Sequence, residues 1–311
     1  MTVGDKTIKE VLKKPSSHWV GDGFHVFPVF SHKAFTRDIS PFLMFDYAAP
    51  KDFPPMRGAS RRGVGQHPHR GIETITLVFQ GEIEHRDSNG NNILLLPGDC
   101  QWMTAARGIV HEEFQSQEFT RQGGILELGQ IWINLPQAYK LSDPKYQILR
   151  SRDIPCVPIK IRGEKEIDIA VKYGYARVIA GRFRGHDGPA KTFTPIHMWE
   201  AIMLSVDKEY EFDIVKGYTT LVFVRKGGVV FVMDEGHKHT TLEMADVALM
   251  NREGTSIVLK PTEVETSILI LSGEPIDEPI AARGPFVMNN QQELIDAMQD
   301  YHRGQNGFSH F

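Results

Sequence analysis

The sequence predicts an all-β protein built of two β-barrels in tandem, closed by a short C-terminal α-helix. Three observations carry this. Short runs rich in β-branched and aromatic residues recur along the chain, each stopped by Gly, Pro or Asn, which is the pattern of barrels and sandwiches. One spacing theme of apolar strand, glycine turn and second strand occurs in both halves, around Thr74–Gly81 and again around Thr219–Gly227. Long amphipathic helices between the strands, which an α/β fold would need, are missing.

In the first half, Ile72–Phe79 reads as a strand that stops at Gln80 and Gly81. Glu82–Arg86 follows and leads into Asp87-Ser88-Asn89-Gly90, a strong hairpin signal. Ile93–Leu96 is the next strand and ends at Pro97-Gly98-Asp99. In the second half, the strands are Tyr218–Arg225, Val229–Met233, Ala248–Met250, Ser256–Leu259 and Thr266–Leu271. The boundary is expected near residue 145, where turn-rich sequence gives way to an extended stretch containing Pro155 and Pro158. Residues 1–145 would then form the first domain and 146–311 the second. At the end of the chain, Asn290 and Glu293 have capping-box spacing, and Leu294, Ile295, Met298 and Tyr301 repeat at helical spacing before Gly304.

The bulk numbers bound the function. At 311 residues, with 41% hydrophobic and 24% charged residues, the chain has the composition of an ordinary globular protein and length enough for two cores. A formal net charge of −4 and the absence of helix-turn-helix or zinc-finger spacing argue against direct nucleic-acid binding. Two cysteines, Cys100 and Cys156, give no disulfide framework and are expected reduced. No apolar run approaches a membrane span and the first residues lack a secretory core, so a cytoplasmic location is expected. GxSxG elbows, P-loops and GxGxxG turns after a strand are absent.

The chemistry is concentrated in two short segments. In a strand, side chains at i and i+2 share a face. His67 and His69 can therefore point together into a barrel, while Pro68 points away. His111 and Glu113 repeat the spacing, with Glu112 outward. A lone buried histidine is usually a satisfied core group. Two such pairs on neighbouring strands, however, would bring three imidazoles and one carboxylate to one point. That donor set suits a divalent transition metal (Fe, Mn, Co, Ni, Cu or Zn) better than Ca or Mg, and leaves coordination positions open. In the second half no such set is visible. His237 and His239 follow a polar turn and read as an exposed hairpin tip; His186 and His197 are isolated; His85 sits on a strand and could reach the cavity.

At this point the chain resembles a known family. HPHRGIET (67–74), PGDCQWMTAARGIVHEE (97–113), GPFVMN (284–289) and NGF (306–308) look like the motifs of pirin and the bacterial pirin-like proteins, and the likeness runs across nearly the whole chain. It implies a bicupin, two jelly-roll barrels, with an iron-type site in the N-terminal barrel only and ligands at His67, His69, His111 and Glu113. Broader cupins take their glutamate a few residues after the HxH pair, which here would be Glu73. The pirin pattern takes Glu113 instead and leaves Glu73 as a polar group that orients a ligand histidine.

Two functions follow from the resemblance. The first is a metal-dependent dioxygenase that opens a flavonol such as quercetin with O₂. Iron would be its first metal, and Glu113 could accept the substrate hydroxyl proton. In that reading Ile75, Leu77 and Phe79 would line a dry cavity, with Trp102 and Met103 beside it, and ordinary packing of a barrel core is an equal reading for all five. The second is a metal-binding regulatory protein that acts through a partner protein without physiological turnover.

Overall fold

The computed structural model describes residues 4–31, 37–58, 60–164, 172–232, 239–309 and 311. Its chain forms two compact units. One comprises residues 15–151 with 276–311, the other residues 1–14 with 152–275. The middle division thus falls at Ser151/Arg152, and the two ends of the chain are exchanged between units, an arrangement that a single cut near residue 145 does not describe. The exchange has a local cause. The strand Ile8–Leu12 pairs antiparallel with Val247–Met250, and the segment after Pro275 packs within the first barrel.

The unit around residues 15–151 is a seven-stranded antiparallel sheet and a four-stranded sheet with an apolar cluster between them. The large sheet runs in the order Lys145–Leu149, Cys100–Thr104, Ile72–Gln80, Gly124–Asn134, Phe42–Phe53, Phe24–Phe30, His18–Val20. The small one runs Gly63–His69, Ile109–Gln115, Ile83–Asp87, Asn92–Leu95. Phe24, Val26, Val78 and Leu128 from the first meet Ile83 and Leu95 from the second. The strand Ile72–Gln80 is buried on both faces, as its near-continuous run of β-branched and aliphatic residues requires. The hairpin at Asp87–Gly90 forms as its sequence predicts, with Gly90 at positive φ and Asp87 accepting from the backbone N–H groups of Asn89 and Asn91.

The other unit repeats the plan. Its seven-stranded sheet runs Ile8–Leu12, Val247–Met250, Thr219–Lys226, Thr266–Gly273, Ile196–Met203, Gly174–Ala180, Cys156–Pro158. The second sheet runs Lys160–Ile161, Tyr210–Asp213, Ser256–Pro261, Val229–Phe231, Thr240–Leu242. The strand order matches sheet for sheet, apart from the added edge strand Lys160–Ile161, so the duplication predicted from the sequence is present in the topology. Two jelly-roll barrels in tandem with a short C-terminal helix is the observed fold.

The segment after residue 275 positions the first barrel's site. Ala281–Arg283 and Phe286–Met288 form a hairpin, followed by the helix Gln291–Arg303. Asn290 caps that helix by accepting from the N–H of Glu293, whose carboxylate accepts in turn from Asn290 Nδ2, and Gly304 ends it in the left-handed conformation. Phe286, Met288, Leu294 and Phe308 pack on Val110, the residue preceding His111. Lys140 is fully buried and donates to the carbonyls of Gly71 and Val287 and to Asn134 Oδ1, at 2.8, 2.8 and 2.7 Å. Arg70 lies over the Phe308 ring and pairs with Asp300 at 2.9 Å. Gly71 turns the chain from the His67–His69 strand into Ile72–Gln80 at φ 81°. A Cβ there would stand 2.0 Å from the carbonyl oxygen of Val287, so only glycine fits.

Candidate metal centre

Antiparallel pairing of Gly63–His69 with Ile109–Gln115 places His67 directly opposite His111. A register shift between His111 and Glu113 sets Glu113 opposite Val64. The strand period then turns His67, His69, His111 and Glu113 toward one cavity. The three rings lie close together, with centroids 4.2 Å apart for His67 and His111, 5.0 Å for His69 and His111, and 5.1 Å for His67 and His69. One nitrogen from each lies within 4.8 Å of the other two. Glu113 joins a second group at the same spacing, with His111 and His85. Glu112 points outward to Arg86 at 3.3 Å, as the alternation requires.

Buried polar atoms without partners are costly, and here they converge. His69 Nδ1 and both ring nitrogens of His111 are buried with no hydrogen-bond partner. Burial, reinforced by the neighbouring imidazoles, holds the pKa of both rings well below the ordinary histidine value, so they present lone pairs. His67 Nδ1 lies 2.9 Å from the carbonyl of Gly65, which fixes its proton there and leaves Nε2 as the donor atom. Three imidazoles, two of them buried with lowered pKa, beside a carboxylate could hold a divalent transition ion, and this is the chemistry the residues fit.

Glu113 is held by a polar row across the large sheet. Its Oε1 accepts from Gln101 Nε2 at 3.2 Å and lies 3.0 Å from the Thr76 hydroxyl. Tyr146 donates to Gln101 Oε1 at 2.8 Å, which fixes the amide with its NH₂ toward Glu113. The Thr76 hydroxyl also lies 2.8 Å from Gln130 Oε1, and Gln130 pairs across the next strand with Asp46. Burial raises the pKa of Asp46 to about 6 against the opposing influence of His18. The cavity these groups share is about 350 Å³ and otherwise apolar, walled by Phe24, Val26, Met44, Leu128 and Trp132. That size and composition are those of a small-molecule pocket.

Several expectations need correction. Glu73 does not reach the cavity. Thr76 lines it and Val78 joins the core between the sheets, so Glu73, Ile75, Leu77 and Phe79 lie on the opposite face of their strand. The Glu73 carboxylate accepts from Thr104 Oγ1 at 2.7 Å, and burial raises its pKa to about 7. It therefore orients no ligand histidine. Met103 packs with Ala105 and Ile109, and neither it nor Trp102 lines the cavity. His85 is fully buried beside His111, with ring centroids 5.4 Å apart. Among the described residues of the other barrel no metal-ligating group forms. His186 and His239 are exposed, and His237 lies outside the described residues. Sequence reasoning missed Asp46, Thr76, Gln101 and Gln130. The available signal was an isolated polar residue within a strand that is otherwise apolar, as Asp46 in FLMFDYAA and Gln130 in ILELGQIWIN.

Comparison with known proteins agrees with the fold. The family model described as Pirin matches residues 23–133, and that described as the Pirin C-terminal cupin domain matches residues 200–307. A Pseudomonas aeruginosa protein provisionally named a quercetin 2,3-dioxygenase is 44% identical over 299 residues, covering 96% of this chain and 98% of that one. The chain belongs to the pirin family. Human pirin is 31% identical, with 88% of this chain and 84% of the relative covered. A crystal structure named as quercetin 2,3-dioxygenase from Acinetobacter baumannii superposes with a TM-score of 0.87 at 40% identity, over 97% of this chain and 98% of that one. No helix among the described residues is long and apolar enough to cross a membrane.

Proposed function

We propose that this pirin-family chain is a metal-dependent dioxygenase that opens a flavonol such as quercetin with O₂, releasing carbon monoxide. The observation that carries the reading is the convergence of buried His69 and His111 with half-buried His67 and with Glu113 on the wall of an apolar cavity of about 350 Å³. The names of the Pseudomonas and Acinetobacter relatives support it. His67, His69, His111 and Glu113 would hold the ion, with iron first in order and Cu, Mn, Co, Ni or Zn as alternatives. When bound, it supplies a Lewis acid with open positions for substrate.

The chain's own residues do the rest. Phe24, Met44, Leu128 and Trp132 exclude water and offer flat apolar surface to an aromatic substrate. Glu113 is the proton acceptor for the flavonol 3-hydroxyl, its Oε1 anchored by Gln101 so that the carboxylate is held in place. Asp46, raised to about 6 by burial, is a second carboxyl on the same wall, near enough to neutral pH to exchange a proton during turnover. Thr76 and Gln130 are the polar groups available to orient substrate oxygens.

The test is aerobic incubation of quercetin with chain loaded separately with Fe, Cu, Mn, Co or Ni. Loss of the near-visible flavonol absorbance with evolution of carbon monoxide is expected, and His67→Ala should abolish both. No turnover with any of the five metals refutes the assignment.

A further inference from the structure

Behind the histidine group stands a fourth imidazole that the reading above does not use. The strand Ile83–Asp87 pairs with Ile109–Gln115 so that Asp87 stands opposite His111 and His85 opposite Glu113. His85 is fully buried, and its Nε2 lies 3.0 Å from Asp87 Oδ2. Every other partner of that carboxylate is a donor. Oδ1 accepts from the N–H groups of Asn89 and Asn91 at 2.9 and 3.1 Å, and Oδ2 from Asn91 Nδ2 at 2.8 Å. An acceptor so placed obliges His85 to carry its proton on Nε2. His85 Nδ1 is then a bare lone pair, and it is buried with no partner. Both nitrogens of His111 are likewise buried with no partner, and one of them lies within 4.8 Å of a His85 nitrogen and of a Glu113 oxygen.

We propose that His85, fixed in tautomer by Asp87, is a positioning residue that accepts the N–H of the His111 ring and so sets which His111 nitrogen faces the metal. The inference rests on the reading of His111 as a ligand. Neither His85 Nδ1 nor a His111 nitrogen makes a direct hydrogen bond, so the link runs through one bridging water, whose two hydrogen bonds of about 2.8 Å span a separation of up to 4.8 Å. The series Asp87, His85, His111 places a carboxylate behind two imidazoles. Such a partner locks ring orientation and raises the ligand's basicity, and its loss typically weakens metal binding by about 10–100-fold. The competing arrangement is an ion seated on His85, His111 and Glu113 themselves. Neutral His111 has one lone pair and cannot serve both sets, so the two are separable.

The experiment is titration of the metal-free full-length chain with Co(II) and Ni(II) under chelator competition, reading affinity, stoichiometry and the visible Co(II) spectrum. The variants are His67→Ala, His85→Phe and His85→Gln, with near-ultraviolet circular dichroism as the check on folding. We expect His67→Ala to lose the site. We expect His85→Phe to keep one ion at saturation with affinity lower by about 10–100-fold and an altered Co(II) spectrum. His85→Gln should recover most of both, because its amide can donate to Asp87 and accept from His111. If His85→Phe does not fold, His85→Met supplies the same contrast with His85→Gln. Affinity and spectrum unchanged in His85→Phe, with tight binding by the unsubstituted chain, overturn this proposal alone. Loss of the ion in His85→Phe with retention in His67→Ala overturns it by making His85 a ligand. An unsubstituted chain that binds neither ion overturns the metal reading and this proposal together.

Discussion

Glu73→Gln separates the two carboxylates that the sequence left in competition. Glu73 is 2% exposed, sits on the strand face opposite Thr76, and accepts from Thr104 Oγ1 at 2.7 Å. Burial raises its pKa to about 7 from an ordinary 4.5, against the opposing effects of Thr104, Trp102 and Lys145. The folded chain thus holds this proton more tightly than the unfolded chain. Glu73 contributes its full stability below about pH 4.5, loses it as pH rises through 7, and above 7 costs the fold its ionisation in a buried place. A difference of about 2.5 pH units corresponds to on the order of 3 kcal/mol. Glutamine keeps an acceptor for Thr104 and does not titrate. Measured on metal-free protein by urea denaturation with tryptophan fluorescence, Glu73→Gln should therefore gain on the unsubstituted chain by on the order of 3 kcal/mol between pH 5 and pH 8. Metal stoichiometry should be identical in the two proteins. A stability difference that does not change with pH refutes the burial argument, and loss of metal in the variant refutes the placement of Glu73 outside the ligand set.

Two further substitutions probe the surroundings of the cavity. Lys140→Met removes three donors and leaves the Gly71 and Val287 carbonyls and the Asn134 amide oxygen buried without them, so the unit carrying the site should lose about 3 kcal/mol or more in urea denaturation. Val26→Trp fills the apolar wall without touching a ligand: flavonol turnover (kcat/KM) should fall by more than about tenfold while metal content, read by elemental analysis, stays at that of the unsubstituted chain.

What the sequence made legible was whatever depends on local period. The i, i+2 spacing of His67 with His69 and of His111 with Glu113 is enough to put each pair on one strand face, and the structure gathers all four on one cavity. The helix Gln291–Arg303 was equally readable, because its cap and its glycine stop are local signals. The helix Gln117–Gln122 was not, since six residues are too few to show a period, although Ser116 caps it. Face assignment failed on Ile72–Gln80 because the turn through Arg70 and Gly71 breaks the alternation, and a shift of one residue exchanges Ile75, Leu77 and Phe79 for Thr74, Thr76 and Val78. The exchange of chain ends was also beyond reach. Nothing in Ile8–Leu12 specifies a partner strand at Val247–Met250, because pairing between edges depends on which edge is left open by the rest of the barrel.

Why one barrel gathers such a group and the described residues of the other do not follows from matching positions in the two sheets. The strand equivalent to Gly63–His69 is Tyr210–Asp213, and its partner Ser256–Pro261 is equivalent to Ile109–Gln115. Where the first barrel sets His67 against His111, the second sets Tyr210 against Leu259 and Phe212 against Ile257. All four are buried in a single apolar cluster, and each such side chain contributes roughly 1.5–3 kcal/mol by leaving water. The first barrel gives up that packing for imidazoles, a carboxylate and an open cavity, all of which weigh against stability until something binds. It carries in exchange what the second barrel lacks: the segment after residue 275, whose Phe286, Met288, Leu294 and Phe308 pack on Val110 behind the strand that bears His111 and Glu113. The motifs GPFVMN and NGF lie on that segment. They are far from the histidines in sequence, yet they brace the strand of His111 and Glu113 from its outer side, and Pro285 closes the cavity beside His69. A hollow barrel that must hold four side chains in register needs support from outside its own sheets, and the C-terminal segment supplies it.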